Sequence, residues 1–98
     1  MKLKIFTIFD QKAKAFITPF FLPEEGMAIR TFTDCVNDKE HQFGKHPQDY
    51  TLFNVGAWAD NTAQIIMNEA PIVLGNGVEF VVDKKDEDQI PLKLEEVN

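Results

Sequence analysis

Three side chains that can bind metal ions or transfer protons lie within nine residues of one another: His41, His46 and Asp49. A structural zinc site needs four ligands, and the chain offers only one cysteine, Cys35, to add to these. It has no C-x-x-C pair and no H-x-x-x-H spacing, and Pro47 directly follows His46. We therefore predict no metal site. We expect these polar groups to bond to the backbone and to order the segment that carries them.

The sequence gives little basis for catalysis. It contains no serine, which excludes a serine nucleophile, and neither of the glycine-rich motifs that bind nucleotide phosphates. His46 and Asp49 form the only local acid–base pair. Cys35 falls on the apolar side of a predicted helix, where a small buried thiol is the ordinary interpretation. These features predict a protein that is not an enzyme and uses no cofactor.

Basic and aromatic residues are interleaved in the first 22 residues, where four lysines oppose one aspartate and five phenylalanines occur. Lysines bind phosphates, and exposed aromatic rings stack on unpaired bases, so this composition predicts contact with single-stranded DNA. The alternative is that the lysines protect a sheet edge while the phenylalanines fill the core. The predicted DNA-binding residues are Lys2, Lys4, Phe6, Lys12, Lys14, Arg30, Lys45 and His46.

Charge is distributed unevenly along the chain, whose formal net charge is −6. Residues 1–46 carry seven basic and six acidic side chains, whereas residues 47–98 carry three lysines and ten acids. A net negative charge argues against a protein that coats nucleic acid through charge alone. The acidic end is interpreted as a solvated tail, as a phosphate mimic that competes for the basic surface, or as a contact for a basic protein partner.

The periodicity of apolar residues predicts the order of the elements. Alternation predicts a strand over residues 2–9 that returns through a turn into residues 13–18, with a proline-bracketed connector at 19–23. Spacings of three, four and seven predict an amphipathic helix from Met27 to Val36. Residues 37–49 are predicted to be a long ordered loop, and further strands are predicted over residues 50–58, 62–67, 71–74 and 78–82.

These elements predict an α+β fold in which an antiparallel sheet of five or six strands carries one amphipathic helix on one face. A small barrel of the oligonucleotide-binding type is the alternative. Residues 1–82 would form one domain and residues 83–98 an acidic, flexible tail. No apolar run approaches the length of about 18 residues that a membrane span requires, so we expect no membrane contact. The small core and the surplus of phenylalanine at Phe9, Phe20 and Phe21 predict a homodimer.

A resemblance to a known family is carried by residues 41–53 (HQFGKHPQDYTLF). Three other segments agree with it in their content and in their order along the chain: residues 1–6, 19–23 and 30–37. Over residues 1–58 the chain resembles the small non-structural protein of gokushoviruses, single-stranded DNA phages of the Microviridae. The resemblance implies a non-catalytic replication accessory in the host cytoplasm that binds DNA and favours single-strand genome synthesis over duplex replication. The rival interpretation is a module that binds a phage or host replication protein without strong DNA binding. A capsid-assembly helper fits the strand-rich sequence less well.

Overall fold

Five antiparallel strands and one main helix make up the fold of the computed structural model, which describes residues 2–82. The predicted acidic tail, residues 83–98, lies outside the described residues. The predicted α+β class is confirmed, and the sheet is curled into a half-barrel. The elements are β1 (Lys2–Asp10), β2 (Ala15–Phe16), β3 (Phe20–Leu22), α1 (Glu25–Val36), α2 (Gln42–Lys45), β4 (Tyr50–Ala59) and β5 (Gln64–Asn76), with 3-10 turns at Pro47–Asp49 and Gly77–Phe80.

The strands are ordered β2-β1-β4-β5, and β3 pairs with β1 on the edge that β2 also uses. The sheet is open among residues 2–82, because β5 forms one edge while β2 and β3 share the other. Two predictions are corrected here. The return strand predicted over residues 13–18 shortens to two residues, and the predicted connector contains β3, because Pro19 and Pro23 flank that strand without interrupting its ladder.

A large bulge divides the β4–β5 hairpin. Asn54 pairs with Ile72 and Gly56 with Met67, so residues 68–71 of β5 lie opposite the single residue Val55. The Asn68 side-chain amide stabilises the bulge by donating to the Asn54 backbone oxygen at 3.1 Å and to its side-chain oxygen at 2.7 Å. The two strands predicted over residues 62–67 and 71–74 are therefore one bulged strand.

The core forms between α1 and one face of β1 and β4. Burial is nearly complete for Phe6 on β1, Phe32 on α1 and Leu52 on β4. Ala28 and Val36 lie on the same stripe of the helix as Phe32, as the apolar spacing predicts. The helix begins at Glu25, two residues earlier than predicted, and includes Gly26.

Residues 37–49 are ordered as predicted, but they contain α2 and a 3-10 turn where an irregular loop was expected. The His41 imidazole caps α2 by accepting a hydrogen bond from the Phe43 backbone N–H at 3.0 Å. The Phe43 ring then packs against Phe32, with centroids 5.9 Å apart, and against Tyr50 at 4.4 Å. The segment is therefore anchored in the core by an aromatic ring and a histidine cap.

The strand predicted over residues 78–82 is wrong, because residues 77–80 form a 3-10 turn. The Asn76 side chain accepts from the Val78 N–H, and the Glu79 carboxylate accepts from the Asn76 N–H, both at 3.0 Å. This capping box satisfies the free backbone donors of a helical turn, which outweighs the β propensity of the valines. None of the helices within residues 2–82 is long and apolar enough to span a membrane.

Candidate nucleic-acid interface

The sheet has two faces of different character. Side chains directly opposite each other in an antiparallel pair point to the same face, so the strand register assigns each residue to one of them. We call the face that carries α1 the helix-side face and the other the open face. The residues that the register assigns to the open face are all uncharged: Leu3, Ile5, Thr7, Phe9, Phe16, Phe21, Thr51, Phe53, Trp58, Ile65, Met67 and Val73. Val55, in the bulge, joins them by lining a cavity with Thr7 and Met67.

An aromatic platform lies at one end of the open face. Phe16 of β2 pairs with Phe9 of β1, and its ring lies 4.9 Å from the Phe9 ring and 5.4 Å from the Phe53 ring, measured between centroids. The Phe53 ring meets it nearly edge-on, at an interplanar angle of 73°. Phe16 is nonetheless 49% exposed. Two neighbouring rings therefore hold in place an aromatic side chain that still offers half its surface to a ligand.

Two lysines flank this platform on the turn between β1 and β2. The Asp10 carboxylate shapes the turn by accepting hydrogen bonds from the backbone N–H groups of Lys12 at 3.0 Å and Ala13 at 3.2 Å. The Lys14 N–H donates to the Asp10 carbonyl at 2.7 Å, and Lys14 adopts a positive φ of 57°. The one acidic side chain of the turn is thus bound to the backbone, while both lysine side chains are exposed.

A second aromatic group lies towards the other end of the open face. Phe21, Trp58, Leu3 and Ile65 line a shallow apolar cavity of about 290 Å³. Between the two groups, Thr7, Val55 and Met67 help to line another of about 280 Å³. The open face therefore has an aromatic group at each end, whereas Ile5 and Thr7 between the two groups are buried.

The structure separates the predicted basic residues into groups. Lys2 and Lys4 lie at the opposite end of β1 from Lys12 and Lys14, a distance of about 30 Å for an extended strand. They alternate with Leu3 and so point to the helix-side face, where Lys4 shares a hollow with Glu25. Arg30 is exposed on α1. The predicted basic residues therefore do not form one surface.

Lys45 and His46 lie nearer the aromatic platform. Both belong to the segment that precedes β4, and this segment joins the β1–β2 turn through a hydrogen bond of 2.9 Å from the Gln11 N–H to the Asp49 carbonyl. Both side chains are exposed. They therefore share one end of the molecule with Lys12 and Lys14.

The prediction that Phe6 binds DNA is corrected. Its side chain is fully buried between the sheet and α1 and cannot stack on a base. The sequence prediction counted Phe16 among the five N-terminal phenylalanines but named only Phe6 as a DNA-binding ring, and it missed Phe53. The alternation of β1 already places Phe6 and Phe9 on opposite faces. Which face the helix would cover was not visible in the sequence, and neither was the pairing of Phe9 with Phe16.

The histidine-rich segment has a structural use in the described part of the chain. Residues 2–82 contain no cluster of three or more His, Cys, Asp or Glu side chains that could hold a metal ion.

Two side chains of the described residues have raised pKa values. Burial raises the pKa of the Tyr50 hydroxyl above its ordinary value, and the carboxylates of Asp10 and Asp49 raise this pKa further, whereas a hydrogen bond with Gln42 lowers it. Burial also raises the pKa of the Cys35 thiol, as do Asp34 and Asp38. A raised pKa leaves less of the reactive thiolate at neutral pH.

Comparison with known proteins places the fold within a phage family. A family model described as Phage ORF5 protein matches residues 3–80. The match passes beyond Trp58, where the resemblance seen in the sequence was expected to end, and includes β5 and the turn after it. No curated protein and no solved structure matches the chain.

Proposed function

Because the chain belongs to the phage ORF5 protein family, we propose that it binds single-stranded DNA as a non-catalytic accessory of phage replication. The phage would be a gokushovirus of the Microviridae, and the protein would act in the host cytoplasm to favour single-strand genome synthesis over duplex replication. The observation that carries the DNA-binding part is the half-exposed Phe16 ring, fixed between two other rings and flanked by Lys12 and Lys14.

The chemistry of this arrangement suits an unpaired strand. A base can stack on the exposed part of Phe16 while the adjacent phosphates approach the ammonium groups of Lys12 and Lys14. The apolar open face allows further bases to lie along it. Stacking reads the π face that every base has, so we expect weak sequence preference. Bases within a duplex are already stacked and paired, which favours single strands.

The lysine pairs provide a matched test. We expect K12Q/K14Q to weaken binding to a labelled single-stranded oligonucleotide and to reduce the slope of log K against log salt by about 1.4, at about 0.7 per phosphate contact. The variant K2Q/K4Q removes the same charge from the far end of β1 and should leave the slope nearly unchanged. Fluorescence anisotropy at several salt concentrations measures both. Equal loss in the two variants would mean that net charge, and not this site, governs binding.

Phe16 gives the second test. Phe16→Ala should reduce affinity for single strands by about 1–3 kcal/mol, the range measured for one stacked base, with little change in the salt slope. Val78→Ala, at another exposed apolar position, is the control. Duplex DNA added as a competitor should displace the labelled strand poorly. A duplex that competes as well as single-stranded DNA would contradict the stacking model.

The alternative function is binding to a phage or host replication protein. It is favoured by one observation, which is that no charged residue contributes to the open face, whereas uncharged surfaces of this kind are typical of protein contacts. If the parent protein fails to bind single strands even at low salt, this function replaces DNA binding. Calorimetric titration against the purified phage initiator, with Phe21→Lys as the variant that should abolish binding, would then test it.

A further inference from the structure

The outermost strand, β5, exposes apolar side chains on both of its faces. Ile65, Met67 and Val73 lie on the open face, whereas Ile66 and Ile72 lie on the helix-side face, opposite Ala57 and Asn54. Each of these five side chains is about half exposed or more, with Met67 at 61% and Ile66 at 47%. No other strand of the described chain exposes so many large aliphatic side chains.

This pattern identifies the direction from which a partner must approach. A partner packed on the open face would cover Ile65, Met67 and Val73 and leave Ile66 and Ile72 in water. A strand added along the edge of β5 contacts side chains on both faces and also satisfies the backbone groups that point away from β4. The exposure is therefore explained by pairing along the edge.

The edge is protected at its bulge but not along the segments on either side of it. Such strands are usually blunted by lysines, prolines or bulges. β5 has no lysine, and its proline and its only charged residue, Pro71 and Glu69, both fall within the bulge. The flanking segments 64–67 and 72–74 are left as uncharged, apolar edges.

We propose that the partner is a second copy of this chain, whose β5 pairs antiparallel with the first across a two-fold axis. An antiparallel edge is self-complementary in its hydrogen bonds, and two such edges meet without opposing rows of like charge. Because of its bulge, β5 runs beside only nine residues of β4, Thr51–Ala59, a length of about 30 Å. A strip about 20 Å wide along that length gives about 600 Å² per partner, which in total exceeds the roughly 1,000 Å² that a specific interface needs.

This dimer differs from the one that the sequence suggested. Of the three phenylalanines expected to be hidden by dimerisation, Phe9 and Phe20 are already half-buried within one chain, whereas Phe21 is 42% exposed on the open face. Pairing through β5 would join the two sheets edge to edge and leave both aromatic platforms free. Dimer formation therefore does not depend on DNA binding and can be measured without DNA.

The test compares two double variants of the full chain by sedimentation equilibrium. The wild type should sediment at twice the chain mass of 11.2 kDa. I66K/I72K, which changes only helix-side positions, should raise the dimer dissociation constant by at least about 100-fold because like charges meet at the interface. V78K/V81K adds the same charge at exposed positions outside β5 and should remain a dimer. A monomeric wild type at high micromolar concentration, or an unaffected I66K/I72K variant, would overturn the proposal.

Hydrogen exchange of the wild type gives a measurement that needs no variant. The N–H groups of β5 that point away from β4 should be protected at high protein concentration and lose protection on dilution. If the outward-pointing N–H groups of β5 exchange as fast as those of the turn at Asn61 at every protein concentration, the proposal is also overturned.

Discussion

The two faces of the sheet use the same residue types for different purposes. On the helix-side face, Phe6 is buried in the same core cluster as Phe32 of α1, and the burial of these two rings stabilises the fold. On the open face, Phe16 is as well packed laterally, between Phe9 and Phe53, but nothing in the described chain covers it. A ring that is ordered and still exposed is suited to binding. The comparison shows that covering by another element, rather than residue type, separates core phenylalanines from candidate binding phenylalanines.

The largest effect expected from this comparison is on stability. Phe32→Ala should lower the free energy of unfolding by about 3–5 kcal/mol, because it leaves a large cavity under α1. Phe16→Ala should cost about 1 kcal/mol, since about half of that ring is already in water. Urea unfolding followed by Trp58 fluorescence measures both. Similar losses for the two variants would mean that the open face is covered in solution.

A smaller effect is expected where the segment before β4 packs against the end of α1. A Cβ at Gly44 would overlap the Asp38 carbonyl oxygen, so Gly44→Ala should destabilise the protein by about 1–3 kcal/mol. Gly26 lies in the first turn of α1 with open space around its Cα, and Gly26→Ala should stabilise by about 0.5–1 kcal/mol. Thermal unfolding of the two variants should therefore shift in opposite directions. A stabilising Gly44→Ala would show that the segment is loosely packed.

The smallest effect concerns the half-buried thiol on α1. Because burial and the nearby Asp34 and Asp38 raise the pKa of Cys35, its thiolate should form only at higher pH in the folded protein than in the unfolded chain. The rate of modification by a thiol reagent should therefore rise with pH through a midpoint that lies higher in buffer than in urea. D34N/D38N should move the folded midpoint downwards. An unchanged midpoint between folded and unfolded protein would contradict the raised pKa.

The sequence determined the class of fold and the order of its main elements. Alternation over residues 2–9 indicates a strand, and the three-and-four spacing around Phe32 indicates a helix, because the period of the apolar residues reflects the local backbone geometry. The same patterns correctly placed the turn after Asp10 and the ordered segment before Tyr50. Local competition within a few residues explains the error at residues 78–82, where the Asn76 capping box prevailed over the β propensity of three valines.

The candidate site was decided by tertiary structure. The sequence identified lysines and phenylalanines near the N-terminus, but only the pairing of Phe9 with Phe16 assembled the platform and placed Lys12 and Lys14 beside it. Only the packing of α1 determined that Phe6 would be buried and that Phe16 would not. Which face of the sheet is covered depends on contacts with α1, whose residues are distant in the chain, and the spacing along a single strand does not determine them.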